Sequence, residues 1–207
     1  MDSVPSLLGL PVTAETLRPI SIEVVMVAYL LVLLGVFSRY LVAGHLPLLN
    51  FTAVTGSLIY FGARRSWREM LAPLAVFMLS DYCLTTYTYH SAFHWQSYGI
   101  TWTWYVAVMV LGAILLREKT TLTRGIAATL LGPTGFFLVS NFGVWAGAGR
   151  AMYPQTLAGL GACYVAGLPF YRNDLAATAL VLGVALGVPA LVRRMNESRP
   201  QAALINK

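Results

Sequence analysis

Basic residues sort the gaps between apolar runs into two kinds. The runs are Ile20–Val36, Leu46–Ala63, Met70–Leu84, Ile100–Leu116, Gly125–Trp145 and Asp174–Val192. Arg18 precedes the first run, and Arg64, Arg65 and Arg68 follow the second. Arg117, Lys119 and Arg124 follow the fourth; Arg193, Arg194, Arg199 and Lys207 follow the sixth. These positions hold eleven of the fourteen Lys and Arg residues, leaving only Arg39, Arg150 and Arg172 for the alternate gaps. Basic residues stay in the cytoplasm during insertion. The pattern therefore predicts an all-α bundle of six transmembrane helices in a cytoplasmic (inner) membrane. Both ends, residues 1–19 and 193–207, are expected on the cytoplasmic side.

Composition supports a lipid partner and argues against nucleic acid. Apolar residues make up 57% of the chain and charged residues 11%, whereas a soluble domain carries about 25% charged residues. The net charge of +6 is then mostly a cytoplasmic rim, able to meet anionic head groups. Residues 1–19 lack a basic start and no small-residue cleavage pattern follows the Ile20 run, so that run is expected to remain as a span. The whole chain, 1–207, reads as one transmembrane domain.

The runs differ in quality. Ile20–Val36 is nearly pure hydrocarbon and is expected to face lipid. Leu46–Ala63 carries Pro47, Asn50, Thr52, Thr55, Gly56 and Ser57, and could be re-entrant. The positions of Arg64, Arg65 and Arg68 favour a full crossing. Pro73 and Pro133 interrupt backbone bonding inside two other runs.

Chemistry-bearing side chains gather at the outer gaps and span ends. All three histidines, both cysteines and most tyrosines fall there. An interfacial aromatic belt forms at both membrane faces and does not produce one-sidedness. An outward-opening pocket does, because aromatic walls supply area and a few polar groups fix orientation. The expected ligand-binding set is Asn50, Asp81, Asn141 and Arg172, walled by Tyr87, Trp102, Trp145 and Tyr171. Asp81 is the sharpest member, since a carboxylate is costly within a membrane. Its alternative reading is a helix end paired with Arg39 or Arg172. Asn50 and Asn141 could equally bond a neighbouring helix.

Cys83 reads as a small buried hydrophobe, as a disulfide partner for Cys163, or as a soft ligand for a metal. His90 and His94, four residues apart, would share one face of a helix and could bind a transition metal with Asp81 or Cys83. The stretch AGAGRAMYPQTLAGLGACYVAGLPFYRND is too apolar for disorder and long for a loop. It predicts an outer interfacial helix or lid, roughly Tyr153–Leu168, between helices 5 and 6.

The segments NFTAVTGSLIYFGARR, APLAVFMLSDYCL and FFLVSNFGVW…YPQTLAGLGACYVAGLPFYRND resemble a family of uncharacterised bacterial six-span membrane proteins. That family is similar in pattern to the S components of energy-coupling-factor vitamin transporters, which share an Asn-Phe-Thr entry to a second helix and an Asp ending the third. The resemblance implies a six-helix bundle with an outward vitamin pocket and an energising ATPase module as partner. Solitary cobalamin S components ligate cobalt through a cysteine near this position; by resemblance, Cys83 would do so and cobalamin would be the ligand. One departure is that the first run shows no small-xxx-small surface, Ala28 and Gly35 being seven apart.

Two classes of function follow. One is a small-molecule binding or uptake component, which explains the one-sided polar mouth. The other is a membrane redox or metal-binding enzyme using Asp81, Cys83, His90 and His94, although no triad, phosphate loop or paired-carboxylate motif is present. A structural membrane protein without ligand is a third reading. The chain carries no nucleotide-binding motif, so active uptake would require a partner ATPase.

Overall fold

The structure, a computed structural model, describes residues 22–44, 51–147 and 151–205, with residues 197–205 as backbone alone. Asn50 and His45 lie outside the described residues. Among the described residues, six α-helices follow in order: α1 Ile22–Gly44, α2 Val54–Arg64, α3 Leu71–Cys83, α4 Gly99–Leu116, α5 Leu122–Ala146 and α6 Leu157–Ile205. A 3-10 turn, Trp67–Met70, leads into α3, a π-helical turn, Leu84–Thr88, extends it, and a second 3-10 turn, Trp95–Tyr98, leads into α4. Five of these segments are long and apolar enough to cross a membrane, and the chain is a multi-pass membrane protein by that measure.

The exception is α2. Its 11 residues rise roughly 16 Å, about half of a hydrocarbon core. The second expected span thus appears, over its described part, as a short helix. Every α2 residue except Arg64 is buried. It packs against α1, α4, α5 and α6, so the run that reads weakest as a span, with its several polar residues, forms the centre of the bundle. The reason is satisfiability. Ser57 Oγ donates to the Leu31 carbonyl of α1 at 2.7 Å, and Thr55 Oγ1 donates to Asp174 of α6 at 3.3 Å. Polar groups so placed favour protein neighbours over lipid.

Glycines set the closest approach. A Cβ on Gly62 would lie 1.8 Å from the Met109 carbonyl oxygen, and one on Gly112 would lie 2.0 Å from that of Ile59. The two glycines thus let α2 and α4 touch backbone to backbone. The first run is mostly exposed, as expected of a lipid-facing helix, and packs inward along one narrow face. Ala28 and Val32 are buried, and a Cβ on Gly35 would meet the Phe77 ring at 2.9 Å. Residues 28, 32 and 35 lie on one face because seven residues make nearly two turns.

The expected separate lid, Tyr153–Leu168, is corrected. Residues from Leu157 onward are the first turns of α6, continuous with the Asp174–Val192 run. The physical reason is the tight reversal after α5. Trp145 Nε1 donates to the Pro154 carbonyl at 2.9 Å, and Gln155 Nε2 donates to the Trp145 carbonyl at 2.6 Å. The chain then runs back antiparallel along α5. Tyr164 bonds the Leu138 carbonyl at 2.9 Å and Tyr171 meets Thr134 at 3.0 Å. Gly159, Gly161, Gly167 and Pro169 do not stop the helix, as membrane helices tolerate both residue types.

At the basic end, arginines close helix C-termini. Arg117 donates to the carbonyls of Gly62 and Arg65 at 3.0 and 2.8 Å, and Arg124 donates to that of Leu115 at 3.3 Å. Cations there satisfy orphan carbonyls and suit the helix dipole.

Candidate functional site

Two buried carboxylates organise the interior, and their surroundings differ. Asp81, 1% exposed, sits in the last turn of α3. Arg39 of α1 forms an ion pair with it and also donates to Ser80 Oγ at 3.2 Å. From α4, Trp102 Nε1 donates to Asp81 at 2.9 Å and the Tyr105 hydroxyl at 3.5 Å. Of the two cations expected near Asp81, Arg39 is the one that meets it. The cluster ties α1, α3 and α4 together with its charges compensated. Next to it, the Thr85 hydroxyl of the π-helical turn donates to the Asp81 carbonyl at 2.8 Å and meets the Tyr98 hydroxyl. Phe93 stacks on Tyr98 at 5.2 Å, and Tyr98 on Trp102 at 5.8 Å, giving this group an aromatic cover.

Asp174, 4% exposed, is different. Its partners are two hydroxyls, Thr55 Oγ1 at 3.3 Å and Thr178 Oγ1 at 3.5 Å. No cationic side chain among the described residues forms an ion pair with it. It lies one turn from Tyr171, which faces Thr134 at the middle of α5.

Asp174 and Phe136 line two adjoining cavities. One, of about 270 Å³, is a cleft between α5 and α6 that includes Pro133, Phe137, Ser140, Asn141, Phe170 and Tyr171. The other, of about 200 Å³, reaches inward to Arg39, Thr52, Thr55, Asp81, Tyr98, Trp104 and Tyr105. Asn141 is held by its own donation to the Phe137 carbonyl at 2.8 Å. Gly167 leaves it room, since a Cβ there would lie 2.5 Å from Asn141 Oδ1. The arrangement offers a carboxylate, an amide and hydroxyls within aromatic walls, which can recognise a small ligand by charge and hydrogen bonding.

The sequence-derived site is partly assembled. Asp81 and Trp102 are in contact, and Asn141 and Tyr171 share the α5–α6 cleft. Arg172 is exposed and lines neither cavity. Tyr87 is exposed and meets Tyr82 edge-on at 6.3 Å, while Trp145 clamps the turn before α6. The expected convergence on a single cavity is therefore replaced by two neighbouring groups. Residues that sequence reasoning left out of the site are Asp174, Thr55, Arg39 and Tyr105. For Asp174 the available signal was its isolation, as the only acidic residue between Glu118 and Glu197.

The metal and cysteine expectations change as well. His90 has a positive φ of 50°, and residues 91–94 are not helical, so the shared helical face for His90 and His94 is absent. No group of three metal-ligating side chains occurs among the described residues. Cys83 and Cys163 are both free, and Cys83 lines neither cavity. Cys163 packs on α5, its Sγ 3.4 Å from the Asn141 carbonyl oxygen.

No curated protein and no solved structure matches the chain. The profile of the family of unknown function DUF6580 matches residues 20–202, and the chain belongs to that family.

Proposed function

We propose that this protein is a membrane-embedded binding or uptake component for a small molecule, held in the paired cavities around Asp174. The observation that carries the reading is the sharing of Asp174 and Phe136 by a cleft and a deeper cavity within one helical bundle. Ionisable groups inside membrane bundles mark ligand or ion pathways. The cavity sizes favour a compact ligand, because drug-sized pockets run from about 300 to 1,000 Å³. They give no support to a corrinoid on Cys83. In this reading α2 belongs to a further membrane segment, bringing the number to six, both ends are cytoplasmic, and the mouth opens outward. Active uptake would draw on a separate ATPase module.

Native mass spectrometry of the full chain, released from lipid nanodiscs, tests the proposal. The expected result is a stoichiometric adduct smaller than a phospholipid, lost in a Phe136→Ala or Asn141→Leu variant that remains folded. Adducts consisting of phospholipid alone would overturn it.

A further inference from the structure

We propose that the ligand of these cavities carries a positive charge, as an organic ammonium seated on Asp174. The inference rests on the binding reading above and assigns it a substrate class. The charged groups lining the two cavities are Arg39, Asp81 and Asp174. Arg39 and Asp81 form an ion pair, and the remaining donors at Asp81 come from Trp102 and Tyr105. That leaves one carboxylate with no counter-charge among the described residues. Its two hydroxyl partners, at 3.3 and 3.5 Å, are neutral. A buried carboxylate in that position must share its charge with a proton or with another cation.

The walls choose between kinds of cation. Phe136, Phe137 and Tyr171 line the cleft that ends at Asp174. Aromatic faces attract alkylammonium groups through their quadrupoles. Asn141 and Ser140 add hydrogen-bonding groups for a polar substituent. A carboxylate ligand would meet Asp174 with like charge, while Arg39, the cation that could receive it, is already held by Asp81 and Ser80.

The test compares three probes of similar shape on the full chain in nanodiscs, with empty nanodiscs as control: phenethylammonium, 2-phenylethanol and phenylacetate. Binding is read by isothermal titration calorimetry. Saturable phenethylammonium binding is expected, roughly tenfold or more tighter than 2-phenylethanol, as for a charge-assisted contact. Phenylacetate should not bind. Asp174→Asn should erase the preference for the ammonium while keeping the weak binding of 2-phenylethanol. Equal binding of ammonium and alcohol would overturn the charge assignment and leave a neutral pocket standing, whereas preference for phenylacetate would overturn it in favour of an anion-binding pocket. Ammonium binding that survives Asp174→Asn unchanged would also overturn it. Absence of binding by all three overturns the inference, and the adduct seen in mass spectrometry then decides the broader reading separately. The wild-type comparison stands even if the variant fails to fold.

Discussion

Asp81 and Asp174 show how the same side chain takes opposite roles. Asp81 gains a guanidinium, an indole N–H and a phenol; Asp174 gains two hydroxyls and a cavity. Removing one partner of a buried pair leaves the other charge uncompensated, at a cost of about 3–5 kcal/mol. Asp81→Asn should therefore lower thermal stability sharply, and Arg39→Met combined with Asp81→Leu should recover most of the loss. A double-mutant cycle on unfolding in detergent checks this; independent, additive losses would show that the pair does not act as a unit. Asp81 was legible in the sequence because it stands alone within an otherwise apolar run. Asp174 was hidden because the sixth apolar run begins there, which suggested a membrane edge. The residues before it, with their glycines, Pro169 and Arg172, did not read as continuous helix.

At the scale of elements, the contrast between α2 and α6 has one cause. Hydropathy reports contact with lipid, and the most central helix touches little of it. The run that appeared weakest as a span, with Thr55, Gly56 and Ser57, is buried nearly end to end. In α6, side-chain anchoring along α5 overrides local breakers. Gly112 provides a direct test of the α2–α4 contact. Its missing Cβ makes space for the Ile59 carbonyl, and backbone cannot turn aside as a side chain can. Gly112→Ala should destabilise by about 1–3 kcal/mol or more, the range for overpacking. Gly183→Ala, with open space around the new methyl, should leave the unfolding temperature unchanged or raised. Equal behaviour of the two variants would mean that α2 and α4 do not cross backbone to backbone.

Across the whole molecule, the eleven-to-three division of basic residues is the clearest sequence signal, and two of these arginines, Arg117 and Arg124, also cap helix ends. Sidedness can be measured apart from that packing. In a background with Cys83 and Cys163 replaced by Ala, cysteines at Ser66 and Lys119 should resist an impermeant maleimide in sealed cells, whereas one at Tyr153 should react. Labelling at Ser66 without permeabilisation would invert the arrangement. Multi-pass helical architecture was readable from charge and hydropathy alone. The pairing of helices, and hence the cavity, was not, because it depends on which polar residues find each other across α2, α5 and α6.

The central claim is that the space beside Asp174 holds a ligand. An electron cryo-microscopy structure of the full chain in native-lipid nanodiscs, imaged with a rigid antibody fragment, tests it most directly. The account predicts compact non-protein density between α5 and α6, in contact with Asp174 and bounded by Phe136, Phe137 and Tyr171. Cavities closed by side chains, or filled by a lipid tail continuous with the bilayer, would contradict it.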